Sequence, residues 1–229
     1  MTQEKRTKHK YEKKYEKKLK MVIYEKEGNI AKITLNRPEK LNAIFMGADP
    51  VDWEGRQLWL DLHASLDEAD DDDEVKVVII KGAGRSFCAG FDISRVYHVY
   101  EDFDEEPGKR HPSQRSRLHV DRKWSEDNQR ILLFPKITIA QVHGHCIGEG
   151  ATIAEMCDIT IVADDAHISH AEQRLGFAGS GENLLALFQM VGYKRARAMM
   201  LLGEALDGKE AERVGWATNP CHLINLRRR

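Results

Sequence analysis

Two glycine-bearing segments of this chain could hold a negative charge with backbone alone. The first is Ser86-Phe87-Cys88-Ala89-Gly90-Phe91-Asp92-Ile93, and the second is Gly144-His145-Cys146-Ile147-Gly148-Glu149-Gly150. Each follows a short apolar strand and is predicted to run into a helix. A helix start presents backbone N–H groups that have no intrahelical acceptor, together with a partial positive charge. Two such turns facing one pocket could donate two hydrogen bonds to one developing oxyanion, worth about 3–4 kcal/mol per donor. Neither segment is a dinucleotide fingerprint or a phosphate loop, because GxGxxG and GxxxxGK[ST] are both absent.

Other reactive side chains point less clearly to chemistry. His143 and His145 stand at HxH spacing, and His167 and His170 at HxxH spacing. Both spacings suit a metal, but the sequence supplies no third ligand, and ordinary polar roles around a loop and a strand end are the preferred reading. Four cysteines, Cys88, Cys146, Cys157 and Cys221, are widely spaced with no CxxC pair. This favours reduced thiols in a cytoplasmic protein over a disulfide scaffold.

The elements that must position these residues read as α/β. Val22 to Leu35 around Glu27-Gly28-Asn29 is predicted as a hairpin, and Pro38 ends its second strand. Apolar positions Leu58, Leu60, Leu62, Leu66 and Ala69 predict an amphipathic helix over 51–69. Val75 to Ile80, Ile137 to Val142 and Ile159 to Val162 read as buried strands, with Ile168 opening another. A helix is expected up to about Phe134, a short apolar one over 151–157, and further helices over 183–202 and 207–214. Strands alternating with helices define an α/β domain. The polar stretch 101–116, with Pro107 and Pro112, reads as a surface insertion.

Composition narrows the function. With 229 residues the chain holds one sizeable domain or two small ones, and its net charge of -2 argues against a dedicated nucleic-acid binder. No apolar run reaches the ~18 to 20 residues of a membrane span, and no apolar core follows the basic N-terminus as in a secretory signal. Residues 1–20 carry eight Lys and one Arg against three Glu, too few apolar groups to fold alone. They are expected to be a frayed helix or disordered arm, or else a basic arm that touches RNA or an anionic surface. The domain is expected over 21–217, with a short tail over 218–229.

Taken together and in order, five segments resemble the crotonase (enoyl-CoA hydratase/isomerase) superfamily. Asn36-Arg37-Pro38-Glu39-Lys40-Leu41-Asn42-Ala43 is similar to its NRPxxxNA segment, and Gly84 to Asp92 to its GxxFxAGxD loop. His143 to Gly150, followed by Ala154, Met156, Cys157 and Asp158, resembles the NGxxxGGG…CD helix start. Ala171 to Gly176 resembles the PExxLG element, and Gly203-Glu204 the TGE turn.

The resemblance implies a spiral of ββα units, assembled as a homotrimer or dimer of trimers, acting on an acyl-CoA thioester. No cofactor is expected beyond the coenzyme A of the substrate, and neither DNA nor a membrane is an expected partner. By motif position the oxyanion donors would be the backbone N–H groups of Phe91 and Glu149. The pantetheine and adenine would lie near Lys40, Leu41, Ala43, Ala89 and Ile93. Glu172 matches the glutamate of PExxLG and is the expected acid/base. An apolar pocket would raise the pKa of such a carboxylate.

Four departures from the family pattern bear on the chemistry. Hydratases of the family normally carry a second glutamate where this chain has Thr152, which favours double-bond migration over hydration. Glu149 stands where glycine is preferred. It shares a helical face with Thr152 at i, i+3, so its carboxylate could substitute. Glu155, an acid within an apolar helix, is expected to play a structural part, pairing with a histidine such as His170. Past Gly215 the expected C-terminal helical region is short.

Three functions stay open at this point. One is hydration or isomerisation of an enoyl-CoA. The second is another reaction on the same scaffold, such as thioester hydrolysis, decarboxylation or C–C cleavage. The third is a non-catalytic relative that binds acyl-CoA or RNA.

Overall fold

The computed structural model describes residues 21–44, 57–93, 114–176 and 182–220. The basic arm, residues 51–56 of the first predicted helix, the segment 94–113 after the first glycine turn, and Cys221 with the rest of the tail lie outside the described residues.

A six-stranded sheet forms the frame. Strands β1 (Val22–Glu27) and β2 (Ile30–Leu35) pair antiparallel as the predicted hairpin, in the register Val22 to Leu35. Next come β3 (Val77–Gly82), β4 (Ile137–Val142) and β6 (Ile159–Val162), each parallel to its neighbour. The sheet closes with β8 (Asn219–Pro220), which pairs with β6 and extends the frame into the stretch expected to be tail. A second, two-stranded parallel sheet joins β5 (His145–Ile147) to β7 (His167–Ser169).

Alternation along the strands sets the core. Ile33 and Leu35 of β2, Val78 and Ile80 of β3, and Ala140 and Val142 of β4 are all fully buried. On the other face Lys32, Ile79, Ile139 and Gln141 are only partly covered, as the two-residue period of a strand requires. Helix α1 (Gln57–Asp71) lays Leu58, Leu62, Leu66 and Ala69 on this layer at helical spacing. Burying each leucine is worth about 1.5–3 kcal/mol. Its last carbonyls need partners, and Lys136 supplies them: its Nζ donates to the carbonyls of Ala69, Asp70 and Asp72.

The remaining helices are α2 (Gln114–Leu132), α3 (Glu149–Glu155), α4 (Glu182–Val191), α5 (Tyr193–Leu202) and α6 (Gly208–Val214). Two details differ from expectation. Helix α3 begins at Glu149 rather than Ala151, so the second glycine turn is itself the helix start. The single helix expected over 183–202 is two helices, broken at Gly192 with φ +77°. No helix among the described residues is long and apolar enough to cross a membrane.

Candidate active site

The two glycine turns lie face to face. A three-part ladder joins them: Phe87 N donates to His143 O (2.8 Å), Cys88 N to His145 O (3.1 Å) and Ile147 N to Cys88 O (3.0 Å). Their closeness depends on missing side chains. A β-carbon on Gly90 would lie 2.5 Å from the Ile147 carbonyl oxygen and 3.4 Å from Glu149 N, and one on Gly150 would run into the Cys88 carbonyl. The amide of residue 149 therefore sits beside the residue that precedes Phe91.

The orientation of the Phe91 amide follows from its own pairing. Ile44 N donates to Gly90 O (2.8 Å) and Asp92 N donates to Ile44 O (2.7 Å), a parallel bridge between Ile44 and Phe91. In such a bridge the central residue's N–H and C=O point to the opposite side from the partner strand. The Phe91 N–H is thus turned away from Ile44.

The NRPxxxNA segment braces the first turn. Asn42, fully buried with φ +57°, donates from Nδ2 to the carbonyls of Ala83 (3.0 Å), Ser86 (2.8 Å) and Phe87 (3.1 Å). Its Oδ1 accepts from Arg37 N (2.8 Å). Asparagine tolerates the left-handed backbone better than most residues. Arg37 in turn pairs with the buried Asp92 at 3.1 Å and donates to Ala43 O at 2.9 Å. Removing the Asn42 amide would leave three carbonyls and one N–H short of partners. Asn42→Ala is expected to lower unfolding stability by at least about 3 kcal/mol, read from the urea midpoint. A loss under about 1 kcal/mol would show that water replaces the amide.

The residues expected to contact coenzyme A fall in two groups. Ala89 N donates to Leu41 O (3.0 Å), so Leu41, Ala43 and Ala89 come together at the edge of the first turn. Lys40 is exposed in a 3-10 turn (Pro38–Lys40), and Ile93 is 62% exposed. Cys88, at the centre of the first turn, is no nucleophile: burial pushes its thiol up to about 12.

Helix α2 covers the second side. Trp124 packs on Phe91 with ring centroids 5.4 Å apart, and Asn128 Nδ2 donates to Glu149 Oε1 at 3.0 Å. The Glu149 carboxylate is buried and held by an amide from another helix. Thr152 is fully buried, and its hydroxyl donates to Gly148 O at 3.3 Å.

Glu172 stands in a 3-10 turn (Glu172–Leu175) immediately beyond β7, and reaches back over the second turn. A β-carbon on Gly148 would lie 3.2 Å from Glu172 Oε1. The carboxylate therefore borders both the start of α3 and the backbone on which residue 149 sits. Its protonation differs from expectation. Burial pushes the Glu172 carboxyl up, as the sequence suggested, but the imidazole of His170 beside it pulls it down further, and the net direction is below the ordinary glutamate value.

Behind Glu172 lies a buried ion pair. His170 Nε2 meets Glu155 Oε1 at 2.8 Å, the pairing expected for Glu155. Trp216 Nε1 donates to the same oxygen at 2.8 Å, a partner nothing in the sequence signalled. Asn128 was likewise unanticipated. Among the described residues no group of three or more His, Cys, Asp and Glu is arranged to hold a metal.

A mixed sheet frames two apposed glycine turns, with the half-buried Glu172 carboxylate beside the second. The chain belongs to the enoyl-CoA hydratase/isomerase family, whose model matches residues 25–221. It is 30% identical over 208 residues to a short-chain-enoyl-CoA hydratase of Clostridium acetobutylicum, an alignment spanning 89% of this chain and 71% of that one. It is 26% identical over 199 residues to a peroxisomal Delta(3,5)-Delta(2,4)-dienoyl-CoA isomerase of Arabidopsis thaliana, spanning 87% and 68%. The crystal structure of an enoyl-CoA hydratase from Thermoplasma volcanium superposes with a TM-score of 0.72 at 29% identity, spanning 90% of this chain and 73% of that one. The fold is the crotonase fold, and the protein is an enzyme of hydratase/isomerase type.

Proposed function

We propose that the enzyme moves a double bond along an enoyl-CoA, with Glu172 carrying the proton. The thioester carbonyl would sit between the amides of Phe91 and Glu149, whose stabilisation of its developing negative charge acidifies the α-carbon. Glu172 takes a proton from C2 of a 3-enoyl thioester and returns it to C4, which leaves the conjugated 2-enoyl product with atoms and charge balanced. One carboxylate suffices for this shuttle. The substrate brings its own coenzyme A and no other cofactor is required. The coenzyme would run along Lys40, Leu41, Ala43, Ala89 and Ile93, with Thr152 lining the acyl side. The family resemblance supports a homotrimer or dimer of trimers, and the unpaired spacing of the cysteines supports a cytoplasmic location.

The observation that carries this reading is the placement of Glu172 Oε1 beside Gly148, where an added β-carbon would lie 3.2 Å from it, one residue from the proposed donor at 149. Thr152 favours isomerisation over hydration, because its hydroxyl is engaged with the backbone and offers no second carboxylate. Hydration has one observation in its favour: the buried Glu149 carboxylate held by Asn128.

Parallel assays with 3-hexenoyl-CoA and crotonyl-CoA separate the two. Isomerisation is expected to exceed hydration by at least about 100-fold, the contribution of one missing acid/base group. Comparable hydration that is abolished in Glu149→Gln would establish the second reading instead. Turnover of neither thioester would sink both.

A further inference from the structure

His170 is 0% exposed and lies between two carboxylates. Its Nε2 is hydrogen-bonded to Glu155 Oε1 at 2.8 Å, and its Nδ1 faces Glu172 Oε1 at 3.8 Å, an ion-pair distance longer than a hydrogen bond. Glu155 Oε1 also accepts from the Trp216 indole. A buried carboxylate needs a cation close by, and the His170 ring is the group in contact with it. Among the described residues Nδ1 of His170 and Oε2 of Glu172 are buried without a hydrogen-bond partner.

We propose that His170 is a positioning residue for Glu172: clamped as an imidazolium by Glu155, it holds Glu172 ionised at rest and leaves Oε2 without a competing hydrogen bond. This rests on Glu172 being the acid/base group of the reaction proposed above. The proton balance is simple. Glu172 gains and returns the substrate proton, while the imidazolium keeps both of its own.

The charged and titratable surroundings support this assignment. From α3 the group facing His170 is Glu155, and from its own turn Glu172. Cys146 of β5 lies near Glu155, but burial keeps its thiol well above the ordinary value and therefore neutral. After α6 comes the neutral Trp216, while Glu210 of α6 is engaged with Arg195 and Arg213. Arg174 acts on His167, whose ring meets that of His145 at 5.8 Å. Burial alone would push His170 down. Glu155 and Glu172 outweigh it and raise the imidazole to about 10, so it stays charged through neutral pH.

The test is the pH profile of kcat/KM for 3-hexenoyl-CoA in the wild type, Glu155→Gln, His170→Gln and Glu172→Gln. Removing the cation, or the carboxylate that keeps it charged, leaves Glu172 with its burial alone, so its pKa rises. The acid limb is expected to move to higher pH by about one unit or more in both Glu155→Gln and His170→Gln, with the plateau largely kept. A purely structural pair would lower the plateau and leave the limb in place, which overturns the proposal while Glu172 keeps its role. Full activity in Glu172→Gln would instead remove the reading on which the proposal rests. Nitrogen chemical shifts of His170 in the wild-type protein decide the matter even where a variant fails to fold. A cationic ring at mildly alkaline pH supports the clamp, and a neutral one refutes it.

Discussion

Glu172→Gln is expected to lower kcat by about three orders of magnitude while KM changes little. The substitution is nearly isosteric, so the side chain keeps its place beside Gly148 and the packing around the turn persists. What disappears is the ability to take a proton and give it back. Substrate binding in this reading runs mainly through backbone amides and apolar contacts, which the amide side chain leaves alone, so the loss falls on the chemical step. In the wild type, the pKa of Glu172 lies below the ordinary glutamate value because the pull of His170 outweighs the push of burial. The active form is therefore the ionised one at neutral and mildly acidic pH, and activity falls only as pH drops through that lowered value. Steady-state kinetics across pH, with folding of the variant checked by its unfolding midpoint, measure both effects. A variant with more than about a tenth of wild-type kcat would show that Glu172 is not the proton carrier.

Much of this arrangement could be read from residue order, and the reasons are local. The hairpin announces itself through Gly28 between two alternating strands, and β3, β4 and β6 through their β-branched runs. The spacing of Leu58, Leu62 and Leu66 marks the face of α1. Failures begin where geometry departs from periodicity. Gly192 sits inside an otherwise continuous apolar pattern, so its left-handed conformation, which ends α4 and starts α5, has no signature in spacing. The start of α3 at Glu149 is similar: the turn glycines and the helix overlap, and periodicity sees only the apolar residues that follow.

The site was legible to the same extent. Phe91, Glu149 and Glu172 stand out as candidates because each belongs to a short run of characteristic neighbours. The pairing of Glu155 with His170 could be anticipated, since an acid on an apolar helix must find a cation or change its protonation. Its consequence for Glu172 could not. The direction of that pKa depends on burial opposing a charge 3.8 Å away, and the balance requires coordinates. Trp216, which completes the coordination of Glu155, lies 61 residues from it in sequence. Asn128, on a helix preceding the second turn, holds Glu149 with equally little local warning.

Gly90→Ala is the substitution expected to damage both stability and catalysis, because one atom is asked to occupy space that two turns share. The new β-carbon would lie 2.5 Å from the Ile147 carbonyl oxygen, well inside contact, and φ is +84°, a conformation disfavoured for alanine. Relief requires the turns to separate, which stretches the bonds from Cys88 N to His145 O and from Ile147 N to Cys88 O. Overpacking and the left-handed backbone together are expected to cost about 2–5 kcal/mol. Separation also carries the amides of residues 91 and 149 apart, and the loss of one oxyanion donor corresponds to about 100- to 1000-fold in kcat. Gly28→Ala provides the comparison: its φ is +59°, yet no atom lies within 4 Å of the added carbon. That variant is expected to lose about 1–2 kcal/mol and no kcat, since only the backbone conformation is penalised. Equal kcat in the Gly90 and Gly28 variants would mean that catalysis does not need the two turns in contact, and the oxyanion assignment would go with it.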